Sequence, residues 1–326
     1  MRALFLCSTQ LQVVNYLLIL DSIIDEVDEV VFIFFKKSRP GLLDVVSGLE
    51  RISSKVKVFI LDVPSISFKL KALNKDFRAS LGDVFLFKFH LLRRYIRNKY
   101  YKNLVSDAFS DFVKQETTDV LYIANLTQFS CWLADSVLRK NGQLIYVEEG
   151  VGSYLSSTYK KEFLKKITEI KIFDKNLFSV ALPKRIRISE MNSRAFMVER
   201  VSNWLKEVFP RPRAVNTPNS SGDLPVWMGQ NLGKVGSLEG ESYRKVFNLF
   251  KEKYKDIGFV YRPHPAESSD LILDGLHKNY ILDRGSRIPF EVELLLGYRS
   301  FPKEIHTVAS TGAIYIHILF GKKVLL

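Results

Sequence analysis

Three short segments combine residue types that can move protons or hold a phosphate. The first is Tyr146-Val147-Glu148-Glu149-Gly150, an apolar strand that ends in adjacent carboxylates and a glycine. Neighbouring residues on an extended strand point to opposite faces, so one carboxylate can meet a ligand while the other turns into the protein. A carboxylate in a partly dry site can have its pKa raised toward neutrality, as a general base requires; a solvated strand end is the competing reading. The second segment is Gly258-Phe-Val-Tyr-Arg-Pro-His-Pro265. Its prolines fix φ and bias Arg262 and His264 toward extended backbone, so the imidazole is presented rigidly. An imidazole exchanges protons near pH 7, which suits catalysis, although a stiff turn alone would also hold such a histidine. In the third segment a strand at Val308 yields to a helix through Ser310-Thr311-Gly312. The free N–H groups and positive dipole end of a helix start, with two hydroxyls, suit a phosphate. An ordinary N-cap by Ser310 or Thr311 would use the same residues.

Between the last two segments, Glu291 opens an apolar helical pattern in Ile288-Pro-Phe-Glu-Val-Glu-Leu-Leu-Leu296. Its carboxylate can serve the helix dipole or reach the paired hydroxyls of a ribose. His90, His277, His306 and His317 form no metal-ligand spacing, so no metal site is expected.

The elements that must position these residues alternate. Residues 3–7, 29–35, 56–61, 120–124 and 143–147 are apolar runs of strand length. Leu11, Val14, Leu17, Leu18 and Ile24 recur at helical spacing, as do residues within 100–115 and 129–140. Such alternation predicts a parallel sheet covered on both faces. The Pro-, Asn- and Ser-rich stretch 210–223 reads as a linker. Beyond it, 225–228, 258–261, 280–282, 307–309 and 323–326 read as strands of a second sheet, with a strong helix at 239–255. The fold class expected is α/β with the glycosyltransferase-B architecture: two Rossmann-like, doubly wound domains, 1–215 and 222–326, facing a central cleft.

A chain of 326 residues, 47% hydrophobic and 25% charged, is long enough for two well-formed cores. Cys7 and Cys131 fit neither a disulfide framework nor a metal site, which suits a reducing cytoplasm. The N-terminal apolar run is interrupted at Ser8, Thr9, Gln10 and Gln12, too early for a signal peptide, and no stretch approaches the roughly 20 apolar residues of a membrane span. The net charge of +13 points to polyanionic surroundings. It is concentrated in residues 36–103, with 16 Lys and Arg against 5 Asp and Glu and interleaved phenylalanines. Residues 68–103 therefore suit peripheral contact with an anionic membrane, at the inner face of the cytoplasmic membrane, or a solvated helical hairpin whose aromatics pack inward. No nucleic-acid module accompanies the charge, so no nucleic acid is expected as a partner.

In this order and spacing, Glu148-Glu149-Gly150, His264-Pro265 and Ser310-Thr311 resemble the acidic pair plus glycine, the His-Pro and the Ser-Ser/Thr motifs of the bacterial sialyltransferases. These are the lipooligosaccharide and capsule enzymes of glycosyltransferase family 52, with the polysialyltransferases and marine-type enzymes as relatives. Pro289-Phe-Glu-Val-Glu-Leu-Leu-Leu-Gly297 resembles the nucleotide-binding part of the marine-type enzymes, and Cys7-Ser-Thr-Gln-Leu-Gln12 the family 52 opening turn. Arg262 stands where many relatives carry lysine, the acidic pair contains no aspartate, and the chain stops directly after a strand.

The resemblance implies a CMP-sialic acid donor, a glycan acceptor on lipooligosaccharide or capsule, and an inverting, metal-independent displacement without a cofactor. It implies Glu149 as the base with Glu148 in reserve, and His264 acting on the departing CMP phosphate. By the same resemblance Ser310 and Thr311 hold that phosphate, Glu291 the ribose, and Gln10 and Gln12 face the acceptor, with Arg262 and Gly150 also in the substrate site. A transferase for another CMP-nonulosonic acid such as CMP-Kdo, or a non-catalytic CMP-sugar or glycan-binding protein, is the alternative.

Overall fold

The computed structural model describes residues 1–35, 42–61, 118–154, 159, 161–211, 224–229, 238–264, 280–283, 288–308, 311–322 and 324–325. The expected helix at 100–115, most of the linker and the basic surface at 68–103 lie outside the described residues.

Seven strands form the first sheet: β1 (Arg2–Cys7), β2 (Glu29–Phe35), β3 (Val56–Leu61), β4 (Thr118–Ile123), β5 (Leu138–Val147), β6 (Ile167–Ile172) and β7 (Arg187–Glu190). Their order is β3-β2-β1-β4-β5-β6-β7, and every pairing is parallel. Leu4 of β1 stands between Val31 and Leu121, and residues 3–7 are all buried. Continuous apolar runs rather than alternation are what a sheet covered on both faces demands. Among the described residues before the linker the helices are α1 (Gln10–Ile23), α2 (Val46–Ile52), α3 (Gln128–Val137), α4 (Lys161–Leu164) and α5 (Glu199–Val208). Helix α1 is buried continuously from Gln12 to Leu20, and its Tyr16 hydroxyl donates to the Leu6 carbonyl at 3.0 Å.

The second sheet comprises β8 (Val226–Met228), β9 (Phe259–Arg262), β10 (Tyr280–Leu282), β11 (Ile305–His306) and β12 (Val324–Leu325), again all parallel, in the order β10-β9-β8-β11-β12. Its helices are α6 (Leu238–Lys253), α7 (Phe290–Leu295) and α8 (Thr311–Phe320). Side chains alternate between two cores. Trp227, Phe259 and Tyr261 pack with Tyr243, Phe247 and Phe250 of α6. Val226, Met228 and Val260 pack with Phe290 and Leu294 of α7 and Ile316 of α8. Arg262, two residues after Val260, shares the α7 face by the same period.

Both sheets have the doubly wound strand order in which β-α-β crossovers of one hand place helices on either face. By contacts, Met1–Glu148 with Leu155–Met191 form one compact unit, and Glu149–Tyr154 with Asn192–Leu326 the other. Helix α5 precedes the linker in sequence yet groups with the second unit, where the Tyr298 hydroxyl donates to the Phe209 carbonyl at 3.0 Å.

Four strands differ from the sequence reading. Residues 138–140, expected to continue a helix, begin β5. The strand expected at 307–309 lies at Ile305–His306. Strands β6 and β7 were not foreseen, because Glu169, Lys171, Arg187 and Glu190 break the apolar signal. Glu169 is tolerated at 3% exposure because Arg187, Ser189 and Lys171 surround it. Burial pushes its pKa up, but hydrogen bonds from Arg187 and Ser189 and the Lys171 charge outweigh that and hold it below the ordinary value.

Candidate functional site

In the second sheet the strand order reverses between β8 and β11, and ligands of open α/β sheets bind beyond the strand ends at such a point. There the Thr307 hydroxyl, fully buried, donates to the Met228 carbonyl at 3.2 Å. Helix α8 starts shortly afterwards, and helix α7 brings Glu291 to the same place. A β-carbon on Gly312, in the first turn of α8, would stand 3.0 Å from Glu291 Oε2 and 3.0 Å from Met228 Cε. The Glu291 carboxyl is thus pressed against the helix start and is only 7% exposed. Burial raises its pKa, opposed by a hydrogen bond from its own backbone N–H and by the Arg262 charge, and assisted by the Glu293 charge.

Arg262, expected at the substrate, is instead engaged within the protein. Its Nη1 bonds Asp283 Oδ2 at 3.0 Å and Glu293 Oε2 at 3.1 Å, and its Nη2 donates to the Ile288 carbonyl at 3.0 Å. Arg299 meets the same two oxygens, Nη2 to Asp283 at 2.8 Å and Nε to Glu293 at 3.1 Å. Both guanidinium carbons lie over the Phe290 ring, at 5.5 and 5.3 Å. Two positive and two negative groups close a ring, which is how buried charges are tolerated. His264 follows Arg262 by two residues and is half-buried.

The acidic pair divides as strand alternation requires. Glu148 is fully buried, and its Oε2 accepts from the Phe173 N–H at 2.7 Å. Its N–H donates to the Lys171 carbonyl, and its own carbonyl accepts from Asn15 Nδ2 at 2.7 Å. Glu148 therefore ties β5, β6 and α1 together. Glu149 is half-buried, and its N–H donates to the Ser153 hydroxyl at 2.9 Å. Ser153 in turn donates its N–H to the Gly150 carbonyl at 2.8 Å, closing a tight loop. Gly150 has φ of 125°, a value that disfavours any side chain.

Gln12, expected to face the acceptor, is 1% exposed. Its Oε1 accepts from the Ser8 and Thr9 N–H groups at 2.6 and 3.3 Å, while Thr9 Oγ1 accepts from the Gln12 N–H: a capping box that starts α1. Gln10, the first residue of α1, remains half-buried. At the first sheet's own reversal, between β1 and β4, Asn125 Nδ2 donates to Ser8 Oγ at 2.9 Å. Ser310 lies outside the described residues; Thr311 opens α8, with its side chain outside the description. Among the described residues no three His, Cys, Asp or Glu side chains are grouped to hold a metal ion, and no helix is long and apolar enough to cross a membrane.

No protein-family model matches the chain, and no curated protein matches it in sequence. Solved structures do match. A putative UDP-N-acetylglucosamine 2-epimerase from Listeria monocytogenes is 14% identical, with TM-score 0.53 over 96% of this chain and 75% of that one. UGT89C1 from Arabidopsis thaliana, complexed with UDP-L-rhamnose, is 13% identical, with TM-score 0.54 over 96% and 76%. The MnaA–UDP structure from S. aureus is 11% identical, with TM-score 0.56 over 95% and 75%. The fold is glycosyltransferase-B-like.

Within each unit of this glycosyltransferase-B-like fold the residues singled out by sequence separate into two kinds. Glu291, Glu149, Gly150, His264 and Gln10 stand at or just beyond the ends of strands or the starts of helices. Glu148, Gln12 and Arg262 are held by backbone or charged partners and organise the others. Ser153, Asn125, Asp283, Glu293 and Arg299 were not singled out from sequence. For Glu293 a signal existed, a second carboxylate two residues after Glu291 in an otherwise apolar helix. Arg299 carried none.

Proposed function

We propose that the protein is a nucleotide-sugar-dependent glycosyltransferase that takes sialic acid from CMP-sialic acid to a glycan hydroxyl. The observation that carries this reading is the buried Glu291 carboxylate against Gly312, beyond the strand ends where the second sheet reverses. A buried acceptor group beside a helix start offers both halves of a nucleotide site: oxygens for the ribose hydroxyls and N–H groups for the phosphate. Solved proteins of this fold were captured with UDP-L-rhamnose and with UDP, which supports a nucleotide-sugar ligand. The choice of CMP and sialic acid rests on the motif resemblance.

In the proposed reaction the acceptor oxygen bonds to the anomeric carbon as that carbon's bond to the phosphate oxygen breaks. The electron pair leaves with CMP, and Glu149 takes the acceptor proton. Glu148, committed to the Phe173 N–H, holds the loop instead. His264 meets the charge that develops on the departing phosphate, where fixed donors matter most. Ser310 and Thr311 hold that phosphate, and Gln10 lies on the acceptor side.

The test is a thermal-shift comparison of CMP, CDP, UDP and GDP, since a ligand that binds the native state raises its midpoint by mass action. Selective stabilisation by CMP is expected, with transfer from CMP-sialic acid to a galactoside that persists in EDTA and falls at least 100-fold in Glu149→Gln and His264→Ala. Stabilisation by UDP or UDP-GlcNAc alone would overturn the CMP assignment. Faster turnover of CMP-Kdo would move the donor to another nonulosonic acid.

A further inference from the structure

The ring of Arg262, Asp283, Arg299 and Glu293 joins four separate pieces of chain. Arg262 ends β9, Asp283 follows β10, Glu293 lies in α7, and Arg299 follows that helix. Asp283 Oδ2 and Glu293 Oε2 each bridge both guanidiniums, all four side chains are 11% exposed or less, and the Phe290 ring lies against both arginines. Two further bonds extend the ring to the backbone. Arg262 Nη2 holds the Ile288 carbonyl, just before α7, and the Arg262 carbonyl accepts from the Gly229 N–H at 2.7 Å, just after β8.

Two groups of the proposed site hang directly from this ring. His264 is two residues beyond Arg262, across a proline that removes backbone freedom. Glu291 lies between Phe290 and Glu293, on the first turn of the helix that the ring anchors at both ends.

We propose that Arg299 and Asp283 are positioning residues: by fixing Arg262 they set His264 and Glu291 in one geometry for the nucleotide-sugar phosphate and ribose. The proposal rests on the glycosyltransferase reading for what is positioned, though not for the positioning itself. A planar guanidinium can serve two carboxylates and a carbonyl at fixed angles, whereas a lysine ammonium keeps the charge without the fork. Lysine at Arg262 or Arg299 should therefore preserve charge balance and lose alignment.

The experiment uses full-length Arg299→Lys, Arg262→Lys and Asp283→Asn, each shown to be folded by its melting midpoint. The imidazole resonances of His264, assigned by their loss in His264→Gln, are followed with those of His317 as an internal control. The expected result is shifted or broadened His264 signals with His317 unchanged, and in the transfer assay a kcat lowered at least tenfold with acceptor KM unchanged. Folded Arg299→Lys and Asp283→Asn with the wild-type His264 spectrum would overturn the proposal, as would a kcat loss that only tracks the unfolded fraction. Should the wild-type protein neither bind CMP nor transfer sialic acid, the functional reading fails, while the His264 spectra still decide the positioning.

Discussion

Glu291 Oε2 stands where a β-carbon on Gly312 would approach it to 3.0 Å, tighter than ordinary van der Waals contact. The glycine thereby allows α8 to begin against a buried carboxylate. Gly312→Ala should gain up to about 1 kcal/mol of helix propensity and lose a similar amount to crowding, leaving the melting midpoint within a few degrees. Nucleotide affinity should weaken about tenfold, because the displaced group is the one proposed to hold the ribose. Titration calorimetry with CMP beside a thermal melt separates the two effects.

Glu291→Gln should stabilise the protein while impairing binding. The native state raises the Glu291 pKa above its ordinary 4.5, chiefly by burial, so the folded chain holds a proton that the unfolded chain has released. Stability from this group is therefore present at acid pH and lost as pH rises through the folded value. Glutamine cannot ionise. The variant and wild type should melt together near pH 4 and separate in favour of the variant as pH rises above the ordinary carboxylate range. A variant less stable at every pH would show the carboxylate to be structurally required.

Ser153→Ala removes the acceptor of the Glu149 N–H. A lost part-buried hydrogen bond costs about 1 kcal/mol. If Glu149 is the base, kcat should fall about tenfold with donor KM little changed, since only the alignment of the carboxylate is disturbed. Equal loss in kcat and donor affinity would place the loop at the donor instead.

Away from the proposed site, Tyr254, Glu304 and His306 form a hydrogen-bonded trio, with Tyr254 Oη and Glu304 Oε2 each 3.0 Å from His306 Nε2. Hydrogen bonds from Tyr254 and His306 lower the Glu304 pKa to about 2. Its contribution is complete above the ordinary carboxylate value and disappears as pH falls toward 2. The melting difference between wild type and Glu304→Gln should therefore close as pH falls from about 4.5 to about 2. A gap that persists at pH 2 would show that packing, not ionisation, accounts for it.

Much of the fold was legible because it is written in local pattern. Strands β1, β2 and β3 are apolar runs with little else to be, and the helix at 238–253 repeats Tyr243, Phe247 and Phe250 on one face. Strands β6 and β7 were not legible, since the charges within them are neutralised by one another only after the strands pair. A partner distant in sequence cannot be read from the strand it permits.

The same division runs through the site. Sequence by itself determined that a carboxylate pair, a proline-bound histidine and a helix-starting Ser-Thr-Gly occur in order along two α/β halves, because residue type and period are local properties. Only the tertiary structure decided which of these side chains are taken up by partners within the protein. Glu148 accepts from the Phe173 N–H and Gln12 from the turn before α1, while Arg262 is held by Asp283, Glu293 and Ile288. Each of these is a choice between a ligand and a partner that folding brings from elsewhere in the chain or closes locally. Buried polar groups must find partners, so the three-dimensional neighbours, not the motif, decide how each side chain is held.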